Sequence, residues 1–414
     1  MAIIRPFKAI RPNTKFAEQV ASKPYDVLST EEARTEAKDN DYSFLRIIKP
    51  EINFPEQSKF DQNVVFAKAK DVFDNFLKSG VFEQENQDCF YLYRLIMGDT
   101  EQSGLVCLSS VADYENDIIK KHEFTRPAKE QDRIQHVLQT GIQSGPVFLT
   151  YKANKKVSEL SAPVKEQAPL YDFTADDGVI HSIWKIDNAE IVNKIREAFE
   201  AVPATYIADG HHRAAASAKA GIELRKENKN HNGDEPYNYF LSVLFPSSEL
   251  KILDYNRVVQ DLNGLSTEEF LSKLAEYFSV IKIGSSPYKP SKEKSFGLFI
   301  DRNWYKLSAK EGTYEANHPV HSLDPYILQE NVFRKLLGIE DVRTDDRVDF
   351  VGGIRGLGEL EKRVNTGEWK AAFALFPVSI DQLMKVADSG NVMPPKSTWF
   401  EPKLRSGLLI NKIR

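Results

Sequence analysis

Thr205-Tyr206-Ile207-Ala208-Asp209-Gly210-His211-His212-Arg213-Ala214-Ala215-Ala216-Ser217-Ala218 is the stretch on which the reading of this chain turns. A short apolar run, then a glycine, then an alanine-rich segment predicts a strand, a tight turn and the start of a helix. The first N–H groups of a helix have no partner within it and attract anions. Two imidazoles and a guanidinium, from His211, His212 and Arg213, stand beside those groups, and together with the Gly210 backbone they point to a phosphate site. Asp209, at the strand end, is placed to hold Mg²⁺ against the same phosphates. The plainer reading is an Asp-Gly turn with solvated histidines. Four polar functional groups at one junction serve no packing purpose, which favours the phosphate site.

Upstream, the alternation from Ile3 to Ile10, stopped by Arg11-Pro12-Asn13, predicts a short strand. Ser29 followed by Glu32 has the spacing of a capping box opening a polar helix. Ser43–Ile48 reads as a second strand. Apolar positions from Val65 to Leu77 recur at helical spacing, closed by Gly80. Phe90–Ile96 and Ser103–Leu108, joined through Gly98-Asp99, read as a hairpin, and further strands are expected at 145–151, 179–186, 205–208 and 239–245. Lys152–Leu170 reads as a polar surface excursion. Composition shifts near Gly264. Beyond it a helix over 265–278, a hairpin over 296–307, a helix over 323–337 and a strand over 371–376 are predicted. The fold class is therefore α+β, mixed and without βαβ regularity, with a division at 1–262 and 263–414.

Other segments carry candidate chemistry. His122-Glu123-Phe124-Thr125-Arg126-Pro127 precedes a mixed-charge run, Lys129–Arg133, which by itself reads as a solvated helix face. Glu123 is a candidate proton acceptor for a substrate hydroxyl, and Arg126 a candidate ligand for a phosphate or carboxylate. His122 and Thr125 are candidates for substrate contact. Asp26, in Pro24-Tyr25-Asp26-Val27, is either a turn residue or a catalytic carboxylate, and Glu32 either completes the helix cap or plays that part. In Met393-Pro-Pro-Lys-Ser-Thr-Trp-Phe-Glu-Pro-Lys-Leu404 the prolines fix an extended strap, and Lys396 and Lys403 offer donors to a phosphate. Gly352–Gly358 is glycine-rich but completes neither phosphate-loop pattern and reads as a loop.

Composition bounds the function. The 414 residues are 41% hydrophobic and carry a net charge of -5, enough for a sizeable core and contrary to a general nucleic-acid coat. Two cysteines make neither a disulfide framework nor a paired metal motif. The first residues lack the greasy run of a signal peptide, and no apolar stretch is long enough to span a bilayer. A protein of the reducing cytoplasm, without membrane partners, is expected.

A strand ending in Asp209-Gly210-His211-His212-Arg213 before an alanine-rich helix resembles the phosphate-binding signature of the ParB/sulfiredoxin-like superfamily, which includes free-serine kinases. Over most of its length the chain resembles the bacterial family of unknown function DUF1015, through Arg5–Pro12, Pro24–Ser29, Lys121–Arg133, Ala208–Arg213 and Met393–Leu404. These resemblances imply a ParB/sulfiredoxin-like nucleotide-binding core with an additional α/β part behind it. They also imply a kinase that passes a phosphoryl group from ATP or ADP to a metabolite hydroxyl, with free L-serine the favoured acceptor. On that reading Arg126, Arg213 and Lys396 neutralise the transferred group, and Glu123, Asp26 or Glu32 takes the hydroxyl proton. The partners are then a nucleotide and a small molecule, and a homodimer is compatible with them. The rival is a ParB-like nucleotide-sensing protein that clamps DNA, against which the acidic charge and the lack of an arginine-rich arm both speak. A sulfiredoxin-like repair enzyme would need a thiol in the 209–213 turn, which is absent.

Overall fold

The structure, a computed structural model, describes residues 1–56 and 60–414. The chain forms two units: residues 1–250 together with 402–414, and residues 251–401. The expected division at 262 thus falls inside the second unit, and the last thirteen residues rejoin the first.

In the first unit nine strands form one mixed sheet. They are β1 (Ile4–Arg5), β2 (Phe90–Met97), β3 (Thr100–Ser110), β4 (Ile119–Lys120), β5 (Val147–Tyr151), β6 (Tyr171–Thr174), β7 (Ile180–Ile186), β8 (Thr205–Asp209) and β9 (Tyr239–Pro246). Their order is β4-β8-β5-β9-β3-β2-β7-β6, with β1 alongside β3. Only β8–β4 and β9–β5 are parallel. Gly98-Asp99 makes the two-residue turn between β2 and β3, as the alternation around it predicts.

Alternation along the strands gives the sheet two buried faces. Leu92, Leu105, Leu149 and Leu244 pack with Val157, Ile195 and Phe199 from the helices Lys155–Ser161 and Ala189–Glu200. Tyr93, Val106, Ile183 and Val243 point the other way, beside Arg405, Leu408 and Leu409 of the returning tail. The tail is tied in by paired backbone bonds between Ser22 and Ser406 and by a strand pair of Asn411–Lys412 with Ile142–Gln143.

Some local expectations are corrected. Leu45–Ile48 is a turn of helix, with Leu45, Ile47 and Ile48 all buried in the core beside Phe44. Short apolar runs do not distinguish strand from buried helix. The Ile3–Ile10 segment holds part of two strands, Ile4–Arg5 and Ile10–Pro12, with different partners. Lys152–Leu170 is no simple excursion, because it contains a helix and buries Val157 and Val164. Ser29 and Glu32 do form the expected capping box, on the helix Thr30–Glu36.

The second unit is a six-stranded antiparallel sheet in the order Phe278–Gly284, Asn303–Ala309, Ser295–Ile300, Ala371–Leu375, Tyr255–Val259, Val348–Gly352. The helix Thr267–Tyr277 lays Phe270 and Leu274 on its core. The glycine-rich 352–358 segment enters the helix Gly356–Asn365 and is not a loop. No helix among the described residues is long and apolar enough to cross a membrane.

Candidate functional site

The junction predicted from the sequence forms as a strand, a glycine and a helix. Register on β8 runs from Tyr206 opposite Thr150 to Ile207 opposite Leu149, then slips so that Asp209 lies opposite Phe148. That bulge re-aims the strand end toward the returning tail. Gly210 follows in a left-handed conformation, φ +94°, as the N-cap of the helix His211–Glu227. A Cβ there would also stand 2.9 Å from Arg213 Nε, so glycine is required twice over. Among the described residues no side-chain hydrogen bond caps this helix, whose first N–H groups have no partner within the helix itself.

Arg213 turns back under the junction. Its Nη2 donates to Asp209 Oδ2 at 2.6 Å and lies 3.9 Å from Asp26 Oδ2, while Nη1 donates to the Pro146 carbonyl at 2.5 Å. The Nε of this buried residue has no acceptor among the described residues. Lys403 Nζ lies 3.6 Å from the second Asp209 oxygen, Oδ1. Burial works against ionising Asp209, but the Lys403 and Arg213 cations outweigh it and hold the carboxyl well below the usual range.

This arrangement does not fit Asp209 as a magnesium ligand. Each of its oxygens already faces a permanent cation, so a divalent ion would displace or repel Arg213 and Lys403. Among the described residues no group of three or more His, Cys, Asp or Glu side chains is arranged to hold a metal.

On the neighbouring segment, the rings of His122 and His211 meet edge to face at 4.5 Å. The His122 backbone N–H points at His211 Nε2 over 3.5 Å, which puts the His211 proton on Nδ1, 3.6 Å from Glu123 Oε2. Burial pushes the His122 imidazole down to about 4 and His211 well below its ordinary value, so both are neutral at pH 7. Both ring nitrogens of His122 are buried without a hydrogen-bond partner among the described residues. A neutral imidazole so placed offers one donor and one acceptor to whatever enters. His212 Nε2 accepts the Arg126 N–H at 2.9 Å, anchoring the start of the helix Pro127–Thr140. The Arg126 residue itself is exposed.

Asp26, His122, Glu123 and the Arg126 backbone therefore lie beside the 209–213 turn, a juxtaposition that the sequence alone left open. Three other candidates have partners of their own among the described residues. Thr125 Oγ1 donates to Glu130 at 2.6 Å, and Lys219 pairs with the same carboxylate. Glu32 accepts the Ser29 N–H at 2.7 Å in its capping box. Lys396 belongs to the second unit, with its ammonium 5.7 Å from the Tyr255 ring. The lysine of that proline-rich segment that reaches Asp209 is Lys403.

Sequence reasoning passed over the Tyr25 ring, which carries the Arg133 guanidinium 4.4 Å from its centroid, and the Ser144-Gly145-Pro146 turn. Ser-Gly-Pro just ahead of a strand is a readable turn signal, and a Cβ on Gly145 would stand 3.3 Å from Arg213 Cδ.

Among solved structures, one titled as a free serine kinase in complex with AMP is similar at 14% identity and a TM-score of 0.35, over 70% of this chain and 89% of that one. A conserved hypothetical protein from Pyrococcus furiosus is similar at 16% identity and a TM-score of 0.35, over 70% and 90%. SbnI with a C-terminal truncation, from Staphylococcus aureus, is similar at 10% identity and a TM-score of 0.38, over 72% and 85%. At those scores the likeness carries no functional argument. No curated protein matches the chain. The family described as "Protein of unknown function (DUF1015)" matches residues 4–326, which include every residue of the junction except Lys403, and the chain belongs to that family.

Proposed function

We propose that the first unit binds the phosphates of a nucleotide at Gly210–Arg213 and transfers a phosphoryl group from ATP or ADP to the hydroxyl of a small metabolite, with L-serine the favoured acceptor. The observation that carries this reading is the His122 imidazole. It is buried and unpartnered, beside an uncapped helix N-terminus whose next residues are His211, His212 and Arg213. An anion at that helix N-terminus would meet its first N–H groups, with the His122 ring packed against His211 beside it. Asp209 holds Arg213 in place and, with Lys403, sets the charge behind the anion.

Phosphoryl transfer needs little covalent chemistry from a protein, mainly positioning and charge stabilisation. Glu123 is 45% exposed and lies beside the Nδ1 of His211, placed to accept the proton of an incoming hydroxyl. Asp26 is the second carboxylate on the open side. Arg126 provides an exposed cation for the transferred group or for the acceptor's carboxylate. The test is formation of phosphoserine by the full-length protein supplied with L-serine, Mg²⁺ and either ATP or ADP. Product above an Asp209→Ala control is expected. Failure with both nucleotides rejects the reaction, and calorimetry showing neither nucleotide bound rejects the site.

A further inference from the structure

The first unit holds a cavity of about 230 Å³ on the face of the sheet away from the phosphate junction. Strand alternation fixes its side. Ser103 and Leu105 line it, whereas a Cβ on the intervening Gly104 would strike Val243 and Phe245. Phe245 packs on Phe148, the residue paired with Asp209, so the cavity lies behind the sheet from the phosphate junction. It is smaller than the ~300–1,000 Å³ of drug-sized pockets and has room for about eight waters, a volume suited to a small metabolite and not to a nucleotide.

Its lining has two characters. Leu92, Leu105, Val157 and Leu244 form an apolar wall. Lys165 and Glu249 bring one charge of each sign to the same space. The Glu249 carboxylate is held by the Ser103 N–H at 2.7 Å, and Lys165 is steadied by Glu101 at 3.2 Å. The Ser103 Oγ is buried with no hydrogen-bond partner among the described residues. A buried hydroxyl without a partner costs free energy that a polar ligand would recover.

We infer that this cavity binds a small zwitterion with a compact apolar side chain, that is, an aliphatic amino acid. Its carboxylate meets Lys165, its ammonium meets Glu249, and its side chain lies on the leucine and valine wall. Ser103 Oγ completes the polar end. The site is separate from the proposed acceptor site, and an aliphatic amino acid has no hydroxyl to phosphorylate.

The test is titration calorimetry of the full-length protein with L-leucine, 3-methylbutylamine and 4-methylpentanoate, the last two each lacking one charge of leucine. L-Leucine is expected to bind at least about tenfold more tightly than either analogue, the worth of one charge-assisted hydrogen bond. Lys165→Met and Glu249→Gln are each expected to weaken L-leucine about tenfold while leaving the melting temperature unchanged. No heat with L-leucine, equal binding of the single-charge analogues, or full affinity in both variants would overturn the inference. ADP binding measured in the same variants is expected to be unchanged, which separates this site from the phosphate junction.

Discussion

Replacing His122 by phenylalanine separates packing from binding. The side chain is 2% exposed and its two nitrogens find no partner among the described residues, an arrangement that costs ~1–3 kcal/mol by mutational standards. Its fall from 6.5 to about 4 corresponds to roughly 3 kcal/mol against protonation, so the ring is held neutral. Phenylalanine keeps a flat ring of similar size and removes both unsatisfied atoms. Folding stability, read by urea denaturation, is expected to be unchanged or higher by about 1 kcal/mol. If the ring nitrogen instead serves a phosphate, a charge-assisted hydrogen bond of ~2 kcal/mol disappears, and nucleotide affinity falls roughly thirtyfold. Calorimetry with ADP and ATP on both proteins measures this. Nucleotide affinity unaltered in the variant would refute the assignment. A loss of stability above about 2 kcal/mol would show that the imidazole already has a partner inside the fold.

Gly210→Ala places a Cβ at φ +94° and within 2.9 Å of Arg213 Nε; a loss of about 1–2 kcal/mol in thermal denaturation and a weakened response to ADP are expected. Ser29→Ala removes a capping box and is expected to cost about 1 kcal/mol without touching nucleotide binding, so it serves as a matched control for stability. Acid is expected to destabilise the first unit through its buried histidines. His122 and His136 are both lowered by burial to about 4, so the unfolded chain takes up protons near pH 6.5 while the folded chain does not. Their contribution is complete above pH 6.5 and is lost as pH falls toward 4, amounting to about 2 kcal/mol each between pH 8 and pH 5. Urea midpoints across that range measure it, and a flat profile would contradict the burial of these rings. Lys403→Met leaves one Asp209 oxygen without its cation and is expected to weaken ADP binding by about tenfold, whereas Lys396→Met is expected to leave it unchanged.

Local patterns carried most of what was legible. The hairpin around Gly98-Asp99 follows from alternation and a turn dipeptide, and the Ser29 cap from two residues three apart, because those features depend on near neighbours alone. The junction was readable for the same reason: Gly210 and the helix former that follows it are adjacent in the chain. Ser43–Ile48 was misread because six apolar-rich residues cannot display a helical period. The part of Lys403 depends on chain path. Lys396 and Lys403 share one proline-rich strap, and only the path of the tail back into the first unit decides which of them faces Asp209. That path rests on pairings such as Ser22 with Ser406 and Ile142–Gln143 with Asn411–Lys412, which local composition does not announce. The division at 262 was misplaced for the same reason.

The return of the tail also has a consequence in time. A ribosome making this chain releases the 209–213 turn long before Pro402–Arg414, with all of the second unit translated in between. Until those last residues emerge, Asp209 has its arginine but not its lysine, and the nascent first unit lacks an edge of its own core. The candidate site can therefore reach its final charge balance only after the second unit and Lys403 have been made, which ties its completion to synthesis beyond residue 401.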